Sequence, residues 1–531
     1  MAQTVSLPTI NAPLIAALPT AAVAEKVTTF IGQMLGTGTA TKDVLVDVAV
    51  GTENTLFGEG SMLATMIAEF RAVNEVSTVQ AVPKDDADLV AGAAAEWEIT
   101  FVGAVAKTGT ITIQIGNNAN IYTAAVTLAD TETAIAAAVA AAITTTFIPG
   151  GLVANATSAL GVVTLVARNE GAEGNSIGIK LDVSDTGTVG TIASSVTGAG
   201  TYTLTGIDTV LGERTDVVAP YSYDFTSATG AARLGVVLTM LDDRFNYNNK
   251  IMDGRLITAT TNTAATIVTA MDLENSQSLV VFADKLVAKA TSKMGSAIFV
   301  MPYQKASRFA GIRALRTDDG SLITNYVTTL APSDQRGGTH TNSLPFMNTP
   351  MEFSIIPIGE GFTVSEVASL SDAGATVMGN NTARTEVITG EVYTTYKTDP
   401  AGNADTTYEF LNYVDTSTAS REYIFNALKI DYAQKRLTQG QGVAGYAFAS
   451  EGEVRANMIS YYLTLTGAGY VLLQAGVMSN GASIVDLFKS YLTVVINTAT
   501  GNIDITSILP IVTQTRSIYC PLSIVFNPES I

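Results

Sequence analysis

The sequence predicts a multidomain α/β and α+β chain: a mixed-sheet core interrupted by an inserted β-rich domain, with extended N- and C-terminal arms. Three observations carry this. The 531 residues are enough for roughly three or four separate cores. Strand-like and helix-like apolar runs alternate over residues 21–95 and again over 206–345, the rhythm of strand–helix units in one sheet. Between them, residues 96–205 read as short strands separated by Gly and Asn, with one Ala-rich helix.

Residues 1–20 read as an arm, because Val5 and Leu7 alternate with polar neighbours and Pro8, Pro13 and Pro19 favour extended backbone over helix. In the first core stretch, Val27–Leu35, Val44–Val50 and Val76–Val82 are strand-like. Met62, Leu63, Met66, Ile67, Phe70 and Val73 lie on one helical stripe, with Ser61 in the N-cap position. The insertion offers strands at Trp97–Val102, Thr110–Ile115, Ile121–Leu128 and Val162–Ala167, and a helix over 131–146 that puts Ile135, Val139 and Ile143 on one face. The second core stretch gives strand 216–219, helix 228–245, strand 255–260, helix 263–273 and strand 278–282. Residues 346–420 form a loop-rich β segment, and the wider stretch 320–420 resists assignment. The C-terminal α+β domain, 421–511, carries helices near 421–437, 454–465 and 484–490 and a strand at 491–497. Residues 512–531 are extended again, with Pro521 suited to an edge.

The net charge of −19, from 48 acidic and 29 basic residues, argues against direct nucleic-acid binding, which needs clustered Lys and Arg. The densest basic stretch, Lys429–Arg436, holds three. One cysteine, Cys520, and one histidine, His340, leave no internal disulfide and no Cys/His zinc site. The apolar stretch Leu14–Ala24 ends in a cleavage-like Ala22-Val23-Ala24 but lacks a basic residue before Lys26, so no secretory signal is expected. No run of 18 or more apolar residues is present, so no membrane insertion is expected.

Motifs of chemistry are sparse. Gly36-Thr-Gly-Thr-Ala-Thr-Lys42 lacks the second Gly of a phosphate loop and reads as a connection. Gly58-Glu-Gly-Ser61 opens a helix and reads as a turn with an N-cap. The acid pairs Asp85-Asp86, Asp242-Asp243 and Asp318-Asp319 read as solvated turns, without the spacing of a calcium loop. No catalytic residue, metal or cofactor is expected.

Three collinear stretches resemble the sheath proteins of contractile phage tails, in their Mu-like branch. The first runs from Leu45 to Val82 and includes Leu56-Phe-Gly-Glu-Gly-Ser-Met-Leu63. The second contains Trp97-Glu-Ile-Thr-Phe-Val-Gly103, Gly109-Thr-Ile-Thr-Ile-Gln-Ile-Gly116, Asp130-Thr131, Val163-Thr-Leu-Val-Ala-Arg-Asn-Glu-Gly171 and Gly174-Asn-Ser-Ile-Gly-Ile179. The third is Tyr408–Val414, the helix at 421–437, and Val485-Asp-Leu-Phe-Lys-Ser-Tyr-Leu-Thr-Val494 with Asn497. Residues 300–390 depart most from the family. The resemblance implies stacked six-membered rings around a tail tube, with terminal arms adding strands to neighbouring copies. Those strands would be carried by Val5, Leu7, Ile10, Ile518, Leu522, Ile524 and Phe526. It implies a C-terminal part facing the tube, with Arg455 and Lys489 as contact candidates, and an insertion at larger radius. The implied partners are the chain itself, the tube protein, and baseplate and tail-terminator proteins, all in a virion. Two rival readings make different demands. An S-layer or adhesin-like surface protein needs an export signal or calcium loops, and an α/β enzyme needs a deep pocket with converging polar groups.

Overall fold

The computed structural model describes residues 4–6, 27–116, 121–145, 153–201, 206–212, 215–221, 234–245, 254–285, 300–317, 346, 349–351, 353, 356, 361–380, 383, 387–432, 434–440, 447–466, 473–478, 480–499 and 501–511. The chain is a multidomain α/β and α+β protein, as its patterning predicts. His340, Cys520, Asp318-Asp319 and all of 512–531 lie outside the described residues.

The core is an eight-stranded sheet in the order 387–389, 375–380, 279–283, 256–260, 215–218, 27–34, 78–85, 46–47. Its six inner strands are parallel and its two outer pairings antiparallel. Parallel strands covered on both faces bury nearly every side chain, and Leu256–Thr260 and Leu279–Ala283 do so throughout. Successive residues divide between the two faces. Phe30, Ala81, Val218, Ile257 and Val280 pack towards the helices Met62–Arg71 and Pro302–Thr317. Ile31, Val82, Val217, Leu256 and Val281 pack towards Leu234–Arg244, Ala264–Met271 and Val364–Asp372. Ser61 caps the first of these helices, its Oγ accepting from Ala64 N at 3.1 Å. Helix Pro302–Thr317 approaches it closely at Gly311, where a Cβ would stand 2.9 Å from the Phe70 carbonyl oxygen.

Two of these elements depart from the loop-rich reading of residues 320–420: the helix Val364–Asp372 and the strand Ala375–Asn380 add a full strand–helix unit to the main sheet. Val44–Val50 supplies only the two-residue pairing of Val46–Asp47.

The insertion folds as the sequence expects, and is larger in strands. A sheet of 189–196, 90–102, 162–170 and 153–159, with 199–201 also on 90–102, faces a second sheet of 179–182, 109–115 and 121–126. Helix Glu132–Thr145 buries Ile135, Val139 and Ile143 against them. The acid pairs need correction. Asp86 is no solvated turn residue: its carboxylate accepts from Gln33 Nε2 at 2.7 Å, Asn169 Nδ2 at 3.2 Å and Glu170 N at 3.1 Å. Gln33 also donates to Glu170 O at 2.6 Å, and Asn169 Oδ1 accepts from Met62 N at 2.8 Å. This network fixes the insertion to the ends of two core strands and to the start of a core helix.

Asp242 is likewise inside helix Leu234–Arg244, accepting from Ser276 Oγ at 2.7 Å and Gln277 Nε2 at 3.0 Å. Burial pushes its carboxyl up to about 6, against the lowering effect of the Ser276 hydrogen bond and the Arg255 charge. A carboxyl whose folded pKa lies above its unfolded value loses stability as pH rises between the two. Asp242→Asn should therefore stabilise the fold by about 1–3 kcal/mol at pH 7 and by almost nothing near pH 4. Denaturant midpoints at the two pH values check this, and an equal gain at both would contradict it.

Candidate inter-subunit site

The C-terminal domain is built around a hairpin. Thr493–Asn497 pairs antiparallel with Asn502–Ile508, and Gly501, at φ 75°, closes the turn by donating its N–H to Asn497 O at 2.9 Å. Ile496, Ile503 and Ile505 point inward onto helices Leu411–Tyr432, Glu451–Thr466 and Ile484–Tyr491. At the centre Tyr462 stacks on Phe488 at 4.1 Å, and its hydroxyl donates to Gln474 O at 2.7 Å. Ser483 caps the shortest helix through Asp486 N.

A third strand joins this hairpin from the other end of the chain. Thr4–Ser6 lies antiparallel to Asn502–Ile508, with Val5 opposite Ser507. The arm is thus β at Val5, where the sequence expects an inter-subunit strand. In the single chain its partner is the chain's own sheet. The open edge of Asn502–Ile508 presents unpaired backbone groups, and the N-terminus satisfies them. Leu7, Ile10, Ile518, Leu522, Ile524 and Phe526 lie outside the described residues.

The two basic residues expected at a tube surface make contacts within the chain. Arg455 donates to Leu492 O and, at 2.6 Å, to Lys489 O, so it caps the carbonyl end of helix Ile484–Tyr491. Lys489 pairs with Asp486 at 3.0 Å, one turn back on the same helix.

Helix Leu411–Tyr432 links the sheet to the core. Its second half, with Ile424, Leu428 and Tyr432, belongs to the hairpin's apolar cluster. Its first half is held in the core by a buried ion network that the sequence reading missed. Arg313, on helix Pro302–Thr317, meets Asp415 with a two-pronged contact (Nη2–Oδ1 2.7 Å, Nε–Oδ2 3.1 Å) and meets Asp216 of a central strand through Nη1. Arg255 Nη2 stands 3.3 Å from Asp415 Oδ1, and Arg255 N donates to Asp216 Oδ1 at 2.9 Å. All four side chains are at most 3% exposed. Burial alone would lower the Arg313 pKa, but the two carboxylates outweigh it and hold it above the ordinary guanidinium value. Beside them Arg421 lies over the Phe245 ring at 4.1 Å. One helix therefore spans both bodies, anchored at both ends. Among the described residues no group of three or more His, Cys, Asp or Glu is placed to hold a metal, and no helix is long and apolar enough to cross a membrane.

No protein-family model matches the chain. A Mu-like prophage FluMu tail sheath protein from Haemophilus influenzae (strain Rd) is 32% identical over 152 residues, 28% of this chain, and the match spans 30% of that relative's length. Among solved structures, a sheath tail protein from Listeria innocua aligns over 92% of this chain and 93% of its own at 10% identity and a TM-score of 0.42. The anti-feeding prophage baseplate aligns over 60% of this chain and 71% of its own at 15% identity and a TM-score of 0.36. The resemblance to Mu-like tail sheath proteins drawn from the residues is borne out over that 152-residue stretch, where the chain is homologous to a tail sheath protein of a Mu-like prophage.

Proposed function

We propose that the chain is the structural subunit of a contractile tail sheath. It polymerises as stacked hexameric rings around a tail tube and contracts to drive the tube through a host envelope. The likeness over 152 residues carries this reading. The chain acts without catalysis or cofactor, as part of a virion, in contact with tube, baseplate and tail-terminator proteins.

The N-terminal strand supplies the joint. Thr4–Ser6 contributes a three-residue strand to a sheet some 500 residues away, and twenty residues, 7–26, separate it from the core. An extended chain of that length reaches at most about 66 Å. The same strand can therefore leave its own Asn502–Ile508 edge and fill a neighbour's, an exchange that preserves every contact and turns a closed monomer into an open chain of copies. Each joint is weak, at about 1 kcal/mol per backbone hydrogen bond, and a lattice of them is strong. During contraction the bodies move as rigid units, held by the Arg313 network and the Asp86 clamp, while the joints stay paired.

Negative-stain microscopy of the purified chain tests the reading. Hollow ribbed cylinders are expected, and discrete small particles at high concentration would overturn it. Removal of residues 1–20 should leave the far-ultraviolet circular dichroism of the body intact and abolish the cylinders. Loss of the fold itself would contradict the arm's role as a joint.

A further inference from the structure

The insertion leaves the core near residue 90 and returns to it near 201, and these two crossings pair with each other. Val90 lies opposite Thr201 and Ala93 opposite Ala199, with a register shift between the two pairs. The ribbon they make is thin. A Cβ on Gly200, at φ 126°, would stand 3.0 Å from the Gly92 Cα, so the strands cross with no room for a side chain between them. Ala91 holds φ 56°, a left-handed conformation that alanine adopts at a cost. A few small residues that already depart from regular strand geometry are a common make-up for a hinge.

Past the ribbon, polar contacts hold the insertion to the core. Asn169 makes three of them: its Oδ1 accepts from Met62 N at 2.8 Å, and its Nδ2 donates to Met34 O at 3.3 Å and to Asp86 Oδ1 at 3.2 Å. Glu170 donates its N–H to Asp86 Oδ2 at 3.1 Å, and its carbonyl accepts from Gln33 Nε2 at 2.6 Å. The hydroxyls of Ser176 and Thr261 stand 3.1 Å apart. Asn175, bonded both ways to Gly198 at 2.7 and 2.9 Å, keeps the turn 172–176 with the insertion. The apolar part of the same junction is loosely filled. A cavity lies there between Met62, Met301 and Tyr303 of the core and Ala167, Gly174 and Ile177 of the insertion.

We infer that the insertion is a latched module: the ribbon of 90–93 and 199–201 is its hinge, and Asn169 with Gln33 is the latch that holds it at one tilt. Tilting breaks hydrogen bonds whose partners then find water, and at the cavity it separates no close-packed apolar surface. The latch therefore opens well before either the insertion or the core unfolds. This holds for the single chain, whether or not the chain polymerises. In the sheath proposed above, the latch is what makes insertion and core move as one body.

The test uses the full chain with Cys520→Ser, so that introduced thiols are the only ones. Spin labels go at Leu160→Cys on the insertion and at either Leu273→Cys or Val364→Cys on the core, all three exposed positions. Pulsed electron resonance should give one narrow distance for each pair in this parent chain. Gln33→Ala/Asn169→Ala should add a second distance in at least one pair, holding about a fifth of the molecules or more. A single narrow distance in both pairs of the double variant overturns the latch, and so does a broad spread in the parent chain. Should the double variant fail to fold, hydrogen exchange on the wild type decides. The Met62 and Glu170 amides, both bonded within the latch, should be protected equally to within about twofold, and at least about tenfold less than the inner strands 162–167 and 256–260. Protection closer than that to the inner strands would mean that the junction opens only when the chain unfolds, and would overturn the proposal.

Discussion

Arg313→Met should destabilise the core by about 3–5 kcal/mol, the range for removing one partner of a buried ion pair. The size follows from what is left behind. Asp216 and Asp415 are each at most 3% exposed, and without the guanidinium two buried carboxylates lose the cation they share, with Arg255 left beside them. Arg313→Lys should recover little, because an ammonium cannot reproduce the fork that holds both Asp415 oxygens and Asp216 together. Adding Asp415→Asn to Arg313→Met should restore part of the loss, since it removes one stranded charge. Denaturant unfolding of the full chain, followed by tryptophan fluorescence and circular dichroism, reads these differences. A loss below about 1 kcal/mol for Arg313→Met would show that the network is not what holds the long helix to the core.

The same network explains why part of the fold was illegible. Helix Pro302–Thr317 carries Lys305, Arg308 and Arg313 where an amphipathic reading wants apolar residues. Each is inward and matched: Lys305 to Asp284 at 2.7 Å, Arg308 to Glu69 at 2.8 Å, and Arg313 to two aspartates. Periodicity cannot see a buried cation, because the carboxylate that admits it lies elsewhere in the chain. Asp86 and Asp242 were misread for the mirror-image reason. Adjacent acids suggest a wet turn, and the donors that bury them, Gln33, Asn169 and Ser276, are distant in sequence. The parallel strands Val27–Met34, Leu256–Thr260 and Leu279–Ala283 were legible, since burial on both faces favours apolar and β-branched residues, most plainly in the unbroken Leu-Val-Val-Phe-Ala of the last. So was the insertion's helix, where Ile135, Val139 and Ile143 share one stripe. Ala375–Asn380 was not: the sequence Ala-Thr-Val-Met-Gly-Asn has little strand propensity, and its place in the sheet is set by neighbours.

At the candidate site the outline was readable and the contacts were not. Prolines and alternation marked residues 1–20 as extended, and the structure has strand at Thr4–Ser6. Nothing local in the sequence names the partner of that strand, because pairing joins residues about 500 positions apart. Arg455 and Lys489 stand out as bases near the C-terminus, but charge alone does not distinguish a surface contact from a helix cap. The geometry assigns Arg455 to two carbonyls of its own chain.

Val5→Pro should abolish polymerisation while leaving the body unchanged. The argument is one of backbone direction. The Ile496 N–H donates outward to Glu451 Oε1, which makes Ile496 and Ile503 a pair whose backbone groups face away from each other, so the pairs on either side, including Val495 with Asp504, exchange hydrogen bonds. Counting along Asn502–Ile508 by alternation, Ser507 turns its N–H and C=O towards the arm, and Val5, directly opposite, uses both of its own groups in return. Proline at position 5 removes that donor and thrusts its ring into the acceptor edge. The expected effect on each joint is a loss of roughly 2–3 kcal/mol, which is about 30–150-fold in affinity, and a lattice multiplies it. Ser6→Pro makes a sharp control. Residue 6 turns its backbone groups to the other side of the arm, so proline there should leave docking on Asn502–Ile508 largely intact. Sedimentation and electron microscopy measure assembly, and the denaturation midpoint of the body should match the wild type. Cylinders of wild-type length from the Val5→Pro chain would show that this strand does not join one copy to the next.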